Sequence, residues 1–207
     1  MDLHDGIGLD AGMTSAPGEA RPSWLDPAAA VLDRRIGELR RRGRGPVLVG
    51  VDGRSGAGKT VLAGVLAHRR GAATVHMDDL YDGWSGLAQG VSRLCREVVA
   101  PLAAGRAAVF RRYDWLVGRL GDEVRVAPEG VVVIEGVGST CGPCAHLLGL
   151  RVWLDAPEVV RRSRALARDG DVFAPHWDAW ARQEEQLLAR ARTRGRAHVV
   201  VRTGATG

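Results

Sequence analysis

The 207-residue sequence predicts an α/β domain built on a doubly wound parallel sheet with helices on both faces. Short apolar runs alternate with stretches whose apolar residues recur every three or four positions, and a glycine-rich segment joins the first run to a helix. Acidic residues end three of the runs, at Asp52, Asp78/Asp79 and Glu135. Because ligands bind at the carboxyl ends of parallel strands, these residues indicate where a site would lie.

The elements are expected in the following order. Residues 1–23, rich in small and polar residues without periodicity, predict a disordered tail, and residues 24–207 a single domain. The first helix is expected to start at Asp26, as N-cap, and to run to about residue 42. A later helix should be capped by Ser85, and two β segments should surround a turn near Gly121-Asp122. The other elements predicted are strands at 46–52, 73–77, 130–136, 151–155 and 197–201, and helices at 157–167 and 175–194.

Residues 53–60, Gly-Arg-Ser-Gly-Ala-Gly-Lys-Thr, match the phosphate-binding pattern G-x-x-x-x-G-K-[ST]. In such a loop the backbone N–H groups wrap the phosphates and the following helix adds a favourable dipole. Lys59 is the only lysine in the chain, and its compact charge suits β- and γ-phosphates better than the fork of an arginine does. Lys59 is therefore expected to be catalytic as well as nucleotide-binding, and to face solvent in the empty loop. The residues expected to bind the nucleotide are Gly53, Ser55, Gly56, Ala57, Gly58, Lys59 and Thr60.

The same mechanism predicts roles for Thr60, Glu135 and Asp78. Thr60 should place its hydroxyl on Mg²⁺, and Glu135, at the end of the most apolar run, should reach the metal or its water shell. Asp78 should point at the γ-phosphate as a base, a Mg²⁺ ligand or both, and Asp79 competes with it for that role. The alternatives are a loop-capping carboxylate for Glu135 and a turn-forming residue for Asp78.

Arg161, Arg164 and Arg168 share one face of a predicted helix that precedes Asp169-Gly170-Asp171. This arrangement predicts either a flexible basic lid that closes over ATP, or a solvated helix face.

Composition limits the other classes of function. No run approaches the roughly 18 apolar residues of a membrane span, and the acidic N-terminus differs from a signal segment, so a cytoplasmic protein without a membrane partner is expected. The net charge of +5 is spread along the chain, which does not favour nucleic-acid binding. Cys141-Gly142-Pro143-Cys144 lacks both the context of a thioredoxin motif and enough nearby zinc ligands, which predicts two incidental thiols.

Four segments occur in an order that resembles the uridine kinase branch of P-loop kinases, including actinobacterial ATP-binding proteins of that branch. They are the 53–60 loop, Asp78-Asp79-Leu80-Tyr81, Tyr113-Asp114-Trp115 and Ile134-Glu135-Gly136, and the resemblance covers about residues 46–201. Leu80 and Trp115 stand where that family has phenylalanine. The resemblance implies Asp78 as the base and Tyr81 and Tyr113 as acceptor contacts. It also implies Thr60 and Glu135 at Mg²⁺, and Arg164 and Arg168 on phosphate. Asp79 and Trp115 are further expected acceptor contacts, and Asp78 is a further expected metal ligand.

The resemblance implies a kinase that uses ATP and Mg²⁺ to phosphorylate a hydroxyl of a small molecule, with a nucleoside as the first acceptor. Two alternatives stay open. The acceptor could instead be another metabolite or an antibiotic, or the chain could be a regulatory nucleotide-binding ATPase without an acceptor. A carboxylate beside an aromatic pocket distinguishes a kinase, because a regulatory ATPase has no use for one.

Overall fold

The computed structural model describes residues 21–43 and 45–204, so nearly all of the predicted tail lies outside the described residues. The strands are β1 (Val47–Asp52), β2 (Ala73–His76), β3 (Ala108–Asp114), β4 (Arg119–Val126), β5 (Val131–Glu135), β6 (Leu150–Asp155) and β7 (Val199–Arg202). The helices are α1 (Leu25–Arg42), α2 (Lys59–Arg70), α3 (Leu87–Arg93), α4 (Ala100–Ala103), α5 (Glu158–Phe173), α6 (Trp177–Ala191) and α7 (Thr193–Arg196).

Five strands form a parallel sheet in the order β2-β5-β1-β6-β7, which confirms the predicted doubly wound α/β fold. The first strand, β1, lies at the centre, where Val49 pairs with Val133 on one side and with Leu150 on the other. All residues of β1 and β5 are buried, as expected of strands covered on both faces. The carboxyl end of β1, between β5 and β6, is the part of such a sheet where ligands are expected to bind.

Helices cover both faces of this sheet, as predicted. Alternate residues of β1 point in opposite directions. Val49 and Val51 pack in a core with Leu32 of α1 and Leu62 of α2. Leu48 packs on the other face, in a core that contains the α3 region, the β3–β4 hairpin and α6. None of the helices among the described residues is long and apolar enough to cross a bilayer.

The β3–β4 hairpin turns at residues 115–118, so the predicted turn near Gly121-Asp122 is wrong. Asp114 fixes the turn because its Oδ1 accepts the backbone N–H groups of Leu116 at 2.9 Å and Val117 at 3.0 Å. Gly118 completes it with a φ of 72°. The position of the turn brings Trp115 to the sheet edge that carries Asp78.

Helix boundaries depart from the prediction at three points. Helix α1 begins at Leu25 with Asp26 in its first turn, so Asp26 is not the N-cap. Helix α3 begins at Leu87 after Gly86, and no side chain caps it, so the Ser85 cap is also wrong. Helix α5 continues to Phe173 through a break at Gly170, where φ is 51° and ψ is −133°. The predicted 169–171 turn is thus a kink between two helical pieces.

Cys144 forms a disulfide with Cys95, which corrects the expectation of two incidental thiols. Cys141, its partner in the C-x-x-C pattern, is a buried free cysteine. The bond links the π-helical turn at 94–99, which continues α3, to the loop that follows β5.

Candidate nucleotide and acceptor site

The phosphate loop, residues 53–60, runs from the end of β1 into the first turn of α2, and its backbone approaches neighbouring segments closely. Gly53 has a φ of 149°, and a Cβ there would lie 2.6 Å from the carbonyl oxygen of Leu154. At Gly56, with a φ of 77°, a Cβ would lie 2.0 Å from the carbonyl oxygen of Arg161. Both contacts exclude a side chain, so these glycines are required by the tertiary packing of the loop.

Asp52 anchors the start of this loop to the segment that follows β5. Its carboxylate is fully buried and accepts the N–H groups of Gly53 at 2.8 Å, Gly138 at 2.9 Å and Thr140 at 3.0 Å. Burial raises the pKa of Asp52, and these hydrogen bonds oppose the rise. The acidic end of β1 is therefore structural, and it connects the loop to the strand end that carries Glu135.

Lys59 is 8% exposed, and its Nζ donates to the carbonyl oxygen of Arg54 at 3.1 Å. The expectation of a solvent-facing lysine is therefore wrong. Because an ammonium group must be hydrogen-bonded when it is removed from water, the loop satisfies it internally. A bound phosphate would have to replace the carbonyl of Arg54 as its partner.

Thr60 and Glu135 lie together at the edge of the loop. The hydroxyl of Thr60 donates to Glu135 Oε1 at 3.3 Å, and the same oxygen lies 2.8 Å from Nδ1 of His76. This contact with Glu135 raises the pKa of His76, against the effect of burial. Among residues 21–43 and 45–204, no group of three His, Cys, Asp or Glu side chains is placed to hold a metal ion. A threonine hydroxyl and a carboxylate nevertheless fit Mg²⁺, which takes few protein ligands when phosphates and waters complete its shell.

Asp78 lies at the end of β2, in a short 3₁₀ turn formed by Met77–Asp79. The residue is exposed to solvent, and its carboxyl group lies near the charges of Glu135 and Arg168. Partial removal from water and the charge of Glu135 raise the pKa of Asp78 to about 6, while Arg168, Lys59 and His76 act in the opposite direction. The structure thus brings Asp78, Glu135, Lys59 and Arg168 into one electrostatic cluster.

Aromatic side chains form a wall beside this cluster. The indole N–H of Trp115 donates to the backbone oxygen of Asp78 at 3.0 Å, and the ring of Tyr113 lies 5.3 Å from that of Trp115. Trp84 lies 4.9 Å from Trp115 and stacks on His176 with a centroid distance of 4.4 Å. We call Tyr113, Trp115, Trp84 and His176 the aromatic wall. Of the predicted acceptor contacts, Tyr113 and Trp115 belong to it.

The structure does not bring Tyr81 to this surface. Tyr81 is 1% exposed, and its hydroxyl donates to the backbone oxygen of Val137 at 2.8 Å. The ring packs edge-on against Trp180, with centroids 5.0 Å apart, and a Cβ at Gly90 would lie 2.5 Å from it. The predicted acceptor contact of Tyr81 is therefore wrong in this structure, because the side chain fills the core.

The three arginines of the predicted lid face make different contacts in the structure. Arg164 donates to the backbone oxygen of Thr203 at 2.8 Å, so it holds the C-terminal segment instead of facing Asp78. Arg161 is 5% exposed and donates to the backbone oxygen of Ser55 at 3.2 Å. Arg168 alone of the three arginines contributes to the Asp78 cluster, and it also pairs with Asp169 at 2.7 Å.

Sequence reasoning missed Glu184 of α6. Its Oε1 accepts the backbone N–H of Ser55 at 2.9 Å and the Ser55 hydroxyl at 2.6 Å. In the sequence, the pair Glu184-Glu185 has the pattern of a polar helix face. Spacing could have revealed the difference, because Glu184 follows Trp177 and Trp180 at intervals that place it on the buried face of α6.

Comparison with known proteins identifies the fold. No protein-family model matches the chain, and no curated protein sequence matches it. A solved structure of a possible uridine kinase from Bacillus stearothermophilus is similar at 23% identity and a TM-score of 0.57, over 83% of this chain and 99% of that one. A solved structure described as a fructose transport system kinase from Silicibacter sp. TM1040 is similar at 24% identity and a TM-score of 0.53. That similarity covers 83% of this chain and 98% of the other. The resemblance to uridine kinase-like P-loop kinases is thereby confirmed at the level of the fold.

Proposed function

We propose that the chain is an ATP-dependent kinase that transfers the γ-phosphate to a hydroxyl of a small molecule, with nucleosides as the first acceptors to test. The observation that carries the proposal is the position of Asp78. Its carboxyl, with a pKa raised to about 6, shares one cluster with Lys59 of the phosphate loop and lies beside the aromatic wall. A general base needs such a pKa near the operating pH.

The donor side rests on the phosphate loop. Its backbone N–H groups and Lys59 are suited to bind the phosphates of ATP, with the N-terminus of α2 directed at them. Thr60 and Glu135 would hold Mg²⁺, which neutralises charge on the phosphates when it is bound. The fold of the solved kinases named above supports this half of the proposal.

The acceptor side rests on Asp78 and the aromatic wall. Asp78 takes the proton of the acceptor hydroxyl while that oxygen forms a bond to the γ-phosphorus. The bond between this phosphorus and the oxygen that bridges to the β-phosphate breaks, and ADP leaves. Arg168, whose charge acts on Asp78, would stabilise the charge that develops on the transferred group. Trp115, a half-buried ring of the aromatic wall, supports an acceptor that contains a ring, such as a nucleoside.

A screen for stimulated ADP release tests the proposal. The protein is incubated with ATP and Mg²⁺ and with single nucleosides, sugars or cofactor precursors, and Lys59→Ala serves as the blank. We expect one class of acceptor to raise ADP release, and we expect the blank to lose that increase. ADP release that ignores every acceptor would favour a regulatory ATPase, and failure to bind or turn over ATP would refute a nucleotide function.

A further inference from the structure

Glu184 makes the contact between α6 and the phosphate loop. The residue is 1% exposed, and its Oε1 accepts both the backbone N–H and the hydroxyl of Ser55, at 2.9 and 2.6 Å. The indole N–H of Trp180, one turn earlier on α6, donates to the same hydroxyl at 3.1 Å. Ser55 therefore has its backbone donor and its side chain held by one helix.

The buried carboxylate requires these hydrogen bonds as much as the loop does. A charge removed from water is costly unless it is hydrogen-bonded, and charge-assisted bonds are stronger than neutral ones. Arg161 supports the arrangement from a third side, because its guanidinium donates to the backbone oxygen of Ser55 at 3.2 Å. The charge of Glu184 in turn favours the charged form of Arg161, whose pKa is lowered chiefly by burial. Ser55 is thus fixed through its N–H, its hydroxyl and its carbonyl.

We propose that Glu184 is a positioning residue that holds the first half of the phosphate loop, through Ser55, in the conformation that receives ATP. The inference rests on the proposed nucleotide function. Preorganisation of this kind raises affinity because the loop does not have to be ordered when the ligand binds. Trp180, on the same helix, lies 6.1 Å from Trp84, so the contact also connects the loop to the aromatic wall on the acceptor side.

Matched variants separate the hydrogen bonds from the charge and from packing. Glu184→Gln keeps an acceptor oxygen at the same reach but removes the charge, whereas Glu184→Ala removes both. Trp180→Phe removes the indole N–H together with part of a buried ring, so its Tm measures the accompanying loss of packing. Glu185→Ala, at the exposed neighbour on the same helix, is the control. Calorimetry with a non-hydrolysable ATP analogue and Mg²⁺ gives the Kd, and thermal unfolding gives the Tm.

We expect Glu184→Ala to raise the Kd about tenfold to a hundredfold, which corresponds to the loss of roughly one hydrogen bond to a charged acceptor. Glu184→Gln should restore the Kd to within about threefold of wild type, and Glu185→Ala should not change it. Ser55→Ala should weaken binding as well. In the double variant with Glu184→Ala, the effects should be less than additive, because both changes break the same contact.

Several outcomes would overturn the inference. A lower Tm with an unchanged Kd would make Glu184 an ordinary core residue. Tighter binding in Glu184→Ala would show that the carboxylate competes with phosphate. Additive effects of Glu184→Ala and Ser55→Ala would deny that they act through one contact. If Glu184→Ala does not fold, Glu184→Gln decides, because a Kd raised about tenfold or more by a side chain that keeps the acceptor oxygen would contradict a role through hydrogen bonds. If the wild-type protein itself does not bind the ATP analogue, that result refutes the proposed function and not only the role of Glu184.

Discussion

Replacing Asp78 with asparagine keeps the shape of the side chain and removes the carboxylate that the proposed mechanism uses as a base. We expect transfer to the acceptor to fall by about 10² or more, which is typical of the loss of a positioned base. ATP should still bind, because the substitution removes a negative charge from the cluster that Asp78 shares with Glu135. Loss of rate without loss of nucleotide affinity is thus the expected signature.

The raised pKa of Asp78 gives this prediction a second measurable quantity. With a pKa of about 6, some 90% of the group is ionised at pH 7 and some 10% at pH 5. Since the base must be unprotonated, the wild-type rate should fall about tenfold per pH unit below 6, where an ordinary aspartate would stay ionised to about pH 4. The lower pH limb should be absent in Asp78→Asn.

The same shift fixes the sign of a stability effect. The folded protein holds this proton more tightly than the unfolded chain, because the pKa lies above its usual value of 3.8. Asp78 therefore favours the folded state increasingly as the pH falls from about 6 to about 4, and its ionised form is unfavourable at pH 7. Asp78→Asn should accordingly have a Tm at pH 7 that is equal to or above that of wild type.

Release of ADP with the acceptor found in the screen measures the rate, and calorimetry with ATP and Mg²⁺ measures binding. Asp79→Asn is the matched control and should lower the rate less. The reverse ranking would move the base to Asp79. A loss of ATP·Mg²⁺ affinity as large as the loss of rate would refute the assignment as a base and make Asp78 a metal ligand.

Three further predictions follow from the contacts of the site. Thr60→Ala should raise the Mg²⁺ concentration needed for half-maximal turnover, because the hydroxyl beside Glu135 is lost, whereas Thr60→Ser should not. If Thr60→Ala and wild type need the same Mg²⁺ concentration, Thr60 is not part of the metal site. Arg168→Ala should lower kcat by about ten- to a thousandfold with little change in ATP affinity, as expected for the loss of a charge-stabilising donor. Arg164→Ala should instead lower the Tm and leave kcat unchanged, because Arg164 binds Thr203. The opposite pattern would restore the lid role of Arg164. Cys141 should resist alkylation at pH 8, because burial raises the pKa of its thiol to about 12. Thiol titration in denaturant should give one thiol without reductant and all three after reduction. A peptide in which Cys141 is linked to Cys144, found in a non-reducing digest, would contradict the pairing of Cys95 with Cys144.

Local chemistry could be predicted from the sequence. The phosphate loop, the apolar strands around it and the acidic strand ends depend on residues that are neighbours in the chain, so their patterns are complete within a few positions. Glu135 and Asp78 follow from strand order alone, since parallel strands that end at one edge bring their last residues together.

Side-chain direction was harder to predict because it is set by distant contacts. Tyr81 and Arg164 lie in the right segments but point to Val137 and Thr203, which no local pattern indicates. Cys95 and Cys144 are 49 residues apart, so their pairing appears only when the helix after α3 packs on the loop after β5. Such bonds are rare in reducing compartments, and cytoplasmic location stays a prediction.

The two halves of the site differ in how they are supported. The donor half is held by the central strands of the sheet and by the buried carboxylate of Asp52, which fastens the phosphate loop through several hydrogen bonds. The acceptor half rests on the β3–β4 hairpin, which forms a separate two-stranded sheet, and on the segment around the kink at Gly170. Substitutions in the aromatic wall, such as Trp115→Phe, should therefore change acceptor preference while ATP affinity is retained. A parallel loss of ATP affinity would show that the halves are one rigid unit, and acceptor choice would then have to be sought in the phosphate loop as well.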